Sequence, residues 1–195
     1  PPMFVRVEPD NLVAAVIDCL GLGDKRRCVV SSALRLTRPT WRSAVGDLLF
    51  SAITWTGSLW LLLPFSLLIG VFRQQALVPL SILAAAVASH LLKLSVARAR
   101  PDLHEVLVTM PADLSFPSAH SAQAAACAAA LVLAVPSLRR ASLLFLLVVW
   151  ALVVGVSRLY LQVHWPSDVL AGWAIGILCA VCVRQEFHGH APERV

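Results

Sequence analysis

Apolar residues in this chain come in long runs that have no polar side. Five runs can be read: roughly Leu48 to Val71, Ala76 to Ala97, the alanine-rich Ala119 to Val135, Ala141 to Val156, and Val169 to Val183. A helix apolar all round has no face for water, so the pattern predicts helices in lipid rather than in a soluble core. The last three runs are short beside the roughly 20 residues of a standard span. Their charges are confined to their ends, so the flanks are expected to lengthen them. The expected fold is all-α: a polytopic membrane bundle of about five transmembrane helices. Ala124 to Ala130 and Gly172-x-x-x-Gly176 offer small faces for close helix packing.

Residues 1–45 depart from this pattern. They carry Lys25, Arg26, Arg27, Arg35, Arg38 and Arg42, with short amphipathic stretches at Asn11 to Leu20 and Val29 to Leu36. Such stretches predict interfacial helices lying on an anionic leaflet. No charged n-region precedes an early apolar stretch, so no cleaved leader is expected. The chain thus divides into a basic amphipathic segment (1–45), a transmembrane domain (46–184) and a polar tail (185–195).

Composition agrees with a membrane class. The chain is 58% hydrophobic and 14% charged, against about a quarter charged in soluble domains. The pI near 9.4 fits membrane topology and surface binding. No folded nucleic-acid module is legible, so membrane lipids are expected partners and nucleic acid is not. Cys179-x-x-Cys182 has metal-site spacing, but within a membrane helix and without a second pair it predicts two small buried residues. Neither zinc nor a disulfide framework is expected.

Charge is costly at membrane depth, and here it gathers in three places. Lys93 and Arg100 are seven apart, about two helical turns, and would share a face, with Pro101 ending the helix; Arg98 lies off that face. In Ser115-Phe-Pro117-Ser118-Ala119-His120, Ser115 is a plausible cap and Pro117 a first-turn residue. The free amides and positive end of the helix that follows would hold a phosphate oxygen, with the Ser118 hydroxyl beside them. In Ser157-Arg158-x5-His164-x3-Asp168, Pro166 suits a helix start, which puts His164 and Asp168 on one face. A carboxylate on one ring nitrogen orients the other and makes imidazole a competent nucleophile. Arg158 adds a forked phosphate donor.

If the helices alternate in direction, all three clusters emerge on one side of the membrane. Lys93, Arg100, Arg158, Ser118, Ala119, His120, His164 and Asp168 would then form a single site. Separate caps would have no reason to converge in this way.

With these residues the chain resembles the type 2 phosphatidic acid phosphatase superfamily, which includes lipid phosphate phosphatases and soluble vanadium haloperoxidases. The family motifs Lys-x6-Arg-Pro, Pro-Ser-Gly-His and Ser-Arg-x5-His-x3-Asp are matched by Lys93 to Pro101, Pro117 to His120 and Ser157 to Asp168, with Ala119 in the glycine position. The resemblance implies that Lys93, Arg100 and Arg158 hold the phosphoryl group. It also implies that His164 attacks, Asp168 orients it, and His120 protonates the leaving oxygen. Many membrane members have six spans, one more than is counted here.

The chemistry is consistent without the family. Phosphoryl transfer needs positioning and charge stabilisation, which three cations and helix amides supply. The one motif carboxylate, Asp168, is committed to His164, so no metal and no cofactor are expected. The expected activity is hydrolysis of a phosphorylated lipid (phosphatidic acid, phosphatidylglycerol phosphate, polyprenyl diphosphate or a polyprenyl-linked sugar phosphate) through a phosphohistidine. The alternatives are a non-catalytic phospholipid-binding scaffold and a haloperoxidase-type oxidoreductase. Asp47 is expected to be a polar residue at the start of the first span, His90 a helix-packing residue with support of Lys93 as the alternative, and Tyr160 and Trp165 anchors at the membrane interface; Asp102, His104, Glu105 and Asp113 are expected to form a solvated lid surface. The basic N-terminal segment predicts a cytoplasmic N-terminus and a site facing the cytoplasm, in the plasma membrane if the protein is bacterial.

Overall fold

The computed structural model describes residues 43–73, 76–101 and 114–189. The expected interfacial helices at Asn11 to Leu20 and Val29 to Leu36, and the lid residues 102–113, lie outside the described residues. Among the described residues six α-helices follow in order: α1 (Ala44–Thr56), α2 (Leu59–Arg73), α3 (Leu77–Val96), α4 (Ala119–Ala134), α5 (Ala141–Tyr160) and α6 (Pro166–Gly189), with a 3₁₀ turn at Pro136–Arg139 between α4 and α5.

Among the described residues, three helices are long and apolar enough to cross a membrane: α3, α5 and the Pro166–Phe187 part of α6. The first apolar run, expected as one span, is two helices bent by 44°, and counts as a fourth span if taken together. The break follows from Gly57. Its N–H bonds back to Thr54 O at 3.1 Å, and a Cβ there would stand 2.4 Å from Val154 Cγ1. The chain turns where α5 leaves no room for a side chain.

The third run stays short. α4 has 16 residues, about 24 Å at 1.5 Å per residue, less than the hydrocarbon thickness. It is the buried core of the bundle, with Ala122, Ala124, Ala126 and Ala130 at zero exposure. Alanine is used there because α6 comes close: a Cβ on Gly176 would lie 2.1 Å from Ala122 O, and one on Gly172 2.6 Å from Ser118 O. The small faces seen in the sequence therefore meet each other, as expected of membrane helices that associate by backbone proximity. Outward, Leu48, Trp60 and Val71 are among the many exposed large apolar residues, which suits a lipid surround.

Two local expectations change. α3 ends at Val96, four residues before Arg100, because Ala97 adopts a left-handed conformation (φ 49°) and its N–H caps Lys93 O. Lys93 and Arg100 therefore do not share a helical face. Pro117 does not sit in a first turn: the Phe116–Pro117 peptide is cis, and α4 starts at Ala119 with Ser118, not Ser115, at the cap position.

Candidate active site

Each of the three sequence clusters lies at a helix end, and hydrogen bonds draw them together. Although Arg100 is off the α3 helix, its side chain and that of Lys93 both reach Leu114 O, with Arg100 Nη2 at 3.5 Å. Arg100 Nη1 also donates to Val163 O at 2.6 Å, which joins the segment after α3 to the loop before α6. Trp165 Nε1 fastens the same pair of segments by donating to Ala99 O at 3.1 Å.

Lys93, Arg158, His164 and Asp168 are all buried. Arg158, in the last turn of α5, donates from Nη1 to Thr54 Oγ1 at 2.6 Å, so the end of α1 steadies it. Tyr160, two residues nearer the helix end, stacks on Phe50 at 4.2 Å between ring centroids and donates its hydroxyl to Asp47 Oδ1 at 3.0 Å. Tyr160 and Asp47 thus hold α1 against α5, a helix-packing contact where the sequence predicts an interfacial anchor and a polar residue at the start of the first span.

His164 stands in the loop just before α6, and Asp168 in the first turn of that helix. His164 Nδ1 lies 3.5 Å from Asp168 Oδ2, long for a hydrogen bond, and has no shorter partner among the described residues. Arg100 Nη1 is 3.2 Å from His164 Nε2. A guanidinium only donates, so Nε2 presents its lone pair on the Arg100 side and the ring proton sits on Nδ1, facing the carboxylate. Burial, foremost, with the positive fields of Arg158, Arg100 and Lys93, brings His164 down to about 4, against the upward pull of Asp168. The ring is therefore neutral at physiological pH.

Asp168 is held from several sides. Oδ2 accepts the Ser115 hydroxyl and the Trp165 N–H at 2.9 Å. Oδ1 accepts from Arg98 Nη1 at 2.7 Å, and the same nitrogen reaches Ser167 Oγ at 2.8 Å. The backbone carbonyl of Asp168 accepts from Ser118 N at 3.0 Å, which ties the start of α6 to the start of α4. The Ser118 amide is thus already committed, and its side-chain oxygen accepts from Ser121 Oγ at 2.9 Å. The first-turn amides from Ala119 onward remain without an intrahelical acceptor, as at any helix start. His120, in that same turn, lies within electrostatic reach of Arg158, His164, Arg100 and Lys93.

The eight expected site residues are therefore gathered at one end of the bundle. Sequence reasoning missed three others. Arg98 was set aside by a helical-face argument that fails once α3 stops at Val96. Ser115 was read as a cap and is a carboxylate partner. Thr54 carried only the weak signal of a polar residue inside an apolar run. Among the described residues, no three His, Cys, Asp or Glu side chains stand together as metal ligands.

A membrane-embedded end of a helical bundle, lined with cations around a carboxylate-backed histidine and a helix start, defines a class: an enzyme that handles a phosphoryl group at the lipid surface. Residues 75–189 match the PAP2 superfamily, and the chain belongs to that superfamily. It is 32% identical over 168 residues to phosphatidylglycerophosphatase B of Bacillus subtilis, covering 80% of each chain. It is 43% identical over 88 residues to decaprenylphosphoryl-5-phosphoribose phosphatase of Mycobacterium tuberculosis, covering 44% of this chain and 46% of that one. Its structure is similar to the crystal structure of a transmembrane PAP2-type phosphatidylglycerolphosphate phosphatase from Bacillus subtilis, with TM-score 0.72, 26% identity and coverage of 95% and 98%. The protein is an integral membrane enzyme, a hydrolase of the lipid phosphate phosphatase class.

Proposed function

We propose that this protein releases phosphate from a phosphorylated membrane lipid, a monoester or a diphosphate, through a phosphohistidine on His164 and without a metal ion. The carrying observation is the convergence of Lys93, Arg100, Arg158, His120 and the His164–Asp168 pair at the start of α4. The three cations hold the phosphoryl oxygens and match the charge spread over them in the transition state. The amides of Ala119 and its neighbours and the Ser118 hydroxyl complete the cradle.

His164 Nε2 attacks phosphorus, forming the P–N bond as the bond to the leaving oxygen breaks. His120, which takes up a proton as the anionic phosphoryl group enters the site, gives it to that oxygen. Water then attacks phosphorus, His120 takes the water's proton, and the P–N bond breaks to free inorganic phosphate. Asp168 keeps Nδ1–H in place throughout, so that Nε2 stays the nucleophile.

The test is an alkaline quench of purified enzyme during turnover of a lipid labelled in its phosphate. Acid-labile label should map to His164. His164→Ala should lose label and turnover together, whereas His120→Ala should accumulate label from a lipid analogue with an activated leaving group. Label on a different residue, or phosphate release by His164→Ala near the wild-type rate, would overturn the mechanism.

A further inference from the structure

A cavity of about 420 Å³ opens between α2, α3 and the beginning of α4. Its wall changes character along the helices. Lys93 of α3 and Ala119 of α4 stand at the phosphoryl end, and one turn further into the membrane come His90 of α3 and Gln123 of α4. Beyond them the lining is apolar, with Val87, Leu83 and Leu59. From the cationic end inward the order is charge, a single polar turn, then hydrocarbon. At 5.4 Å per turn, the polar band is about 5 Å deep.

Gln123 lines the cavity but is only 5% exposed, and its Oε1 is buried with no hydrogen-bond partner, so a group in the cavity meets it once the carboxamide turns about its last side-chain bond. A buried amide oxygen left unpaired is costly and rare in folded proteins, and marks a position where a donor is wanted. A carboxamide both donates and accepts, whichever way its ends are assigned, so its natural complement is a hydroxyl group. His90 adds a ring nitrogen at the same depth.

We propose that this cavity receives the leaving group and that Gln123, with His90, recognises hydroxyls on it. The substrate class is then a phosphate monoester on a small lipid-linked polyol, such as a glycerol or pentose unit, rather than on bare diacylglycerol or a prenyl chain. A polar band one turn deep fits one such unit between the phosphate and the hydrocarbon. This inference rests on the phosphatase reading of the same site. It adds Gln123 as a specificity residue, because a site built to pair a substrate hydroxyl rejects the analogue that lacks it.

The experiment compares phosphate release from vesicles holding phosphatidylglycerol phosphate, phosphatidic acid or a prenyl diphosphate, using full-length wild type and Gln123→Leu. Wild type should favour the glycerol phosphate by at least about tenfold in kcat/KM over either other lipid. Gln123→Leu should shrink that ratio about tenfold, with KM and kcat for the glycerol phosphate both affected. Wild-type preference for phosphatidic acid or the prenyl diphosphate overturns the inference without any variant being needed. A ratio that Gln123→Leu leaves unchanged, with all three rates falling together, overturns it too and makes Gln123 a packing residue. Release from none of the three lipids by wild type overturns the glycerol form of the inference, and a fourth vesicle holding a polyprenyl-linked pentose phosphate separates the two readings: release from it alone keeps the polyol inference, and release from none of the four removes the phosphatase reading itself.

Discussion

Arg98 Nη1 stands 2.7 Å from Asp168 Oδ1, and Asp168 is wholly buried. The carboxylate that faces His164 is thus also half of an ion pair with a residue outside the phosphate cradle. Arg98 packs beside the rings of Phe116 and Trp165, each centroid 6.0 Å from its guanidinium carbon, so it links the segment before α4 to the start of α6. On the proposed mechanism Arg98 is a positioning residue, acting on His164 through Asp168.

Replacing Arg98 should therefore lower kcat more than it raises KM. A hydrogen bond to a charged group is worth about 1.5–3 kcal/mol, so Arg98→Gln should cost about ten- to a hundredfold in kcat. With a cation gone and Asp168 less neutralised, the field at His164 becomes more negative, which favours the imidazolium. The acid limb of kcat/KM should move to higher pH, and Arg98→Lys should recover part of both effects. A merely structural role would lower the amount of folded enzyme and leave the limb of the remaining activity where it was.

The pH profile of the wild type follows from His164 itself. Its ordinary value of 6.5 is lowered to about 4, chiefly by burial. The attacking form is the neutral ring, present above the lowered value and lost as pH falls through it. After correction for the substrate phosphate's own ionisation near 6, kcat/KM should hold level from neutrality down to about pH 5 and then fall. A limb near 6.5 that survives the correction would mean that the His164 ring is neither buried nor beside three cations during catalysis.

Much of the site was legible because chemistry requires residue types at fixed spacing. His164 and Asp168 sit one turn apart across a helix start marked by Pro166. Arg158 and Lys93 are charges that lipid would expel from a helix without a purpose. What was not legible depended on where the backbone stops being helical. Ala97 gives no warning of a left-handed cap, so the termination of α3 four residues early was hidden, and with it the role of Arg98. The bend at Gly57 was hidden for the opposite reason: its cause, Val154, lies on another helix far along the chain. The close approach of α4 and α6 was legible as alanine and glycine facing alanine and glycine, since no larger residue leaves the backbones free to meet.

That approach can be tested at Gly176. A Cβ placed there would lie 2.1 Å from Ala122 O and 2.8 Å from Ala126 N, both backbone atoms that no side-chain rotation relieves. Gly176→Ala should destabilise the protein by about 1–3 kcal/mol, the usual range for overpacking. It should also reduce turnover, because pushing α4 from α6 strains the Ser118 N–Asp168 O bond that joins their starts at 3.0 Å. Thermal unfolding in detergent gives the first effect and phosphate release the second. An unchanged melting temperature would show that the helices are further apart than described.

Sidedness is the last prediction. The ends that carry the site are the end of α3, the start of α4, the end of α5 and the start of α6. The start of α1 lies at the same end of the bundle, since Asp47 meets Tyr160 and Thr54 meets Arg158. The six basic residues Lys25, Arg26, Arg27, Arg35, Arg38 and Arg42 precede α1 and are within its topogenic reach. Against them, Arg73, Arg139, Arg140 and Arg184 belong to the opposite end, four to six. The positive-inside rule counts Lys and Arg near span ends and leaves acidic residues aside, so the balance places the site toward the cytoplasm by a narrow margin. The connection between α3 and α4 leaves from the site end, and Glu105 lies within it. In a cysteine-free background, Glu105→Cys in intact cells should resist a membrane-impermeant maleimide and react after permeabilisation. Labelling of intact cells would place the site on the outer face, and would mean that the four basic residues at the opposite end outweigh the six at the N-terminus.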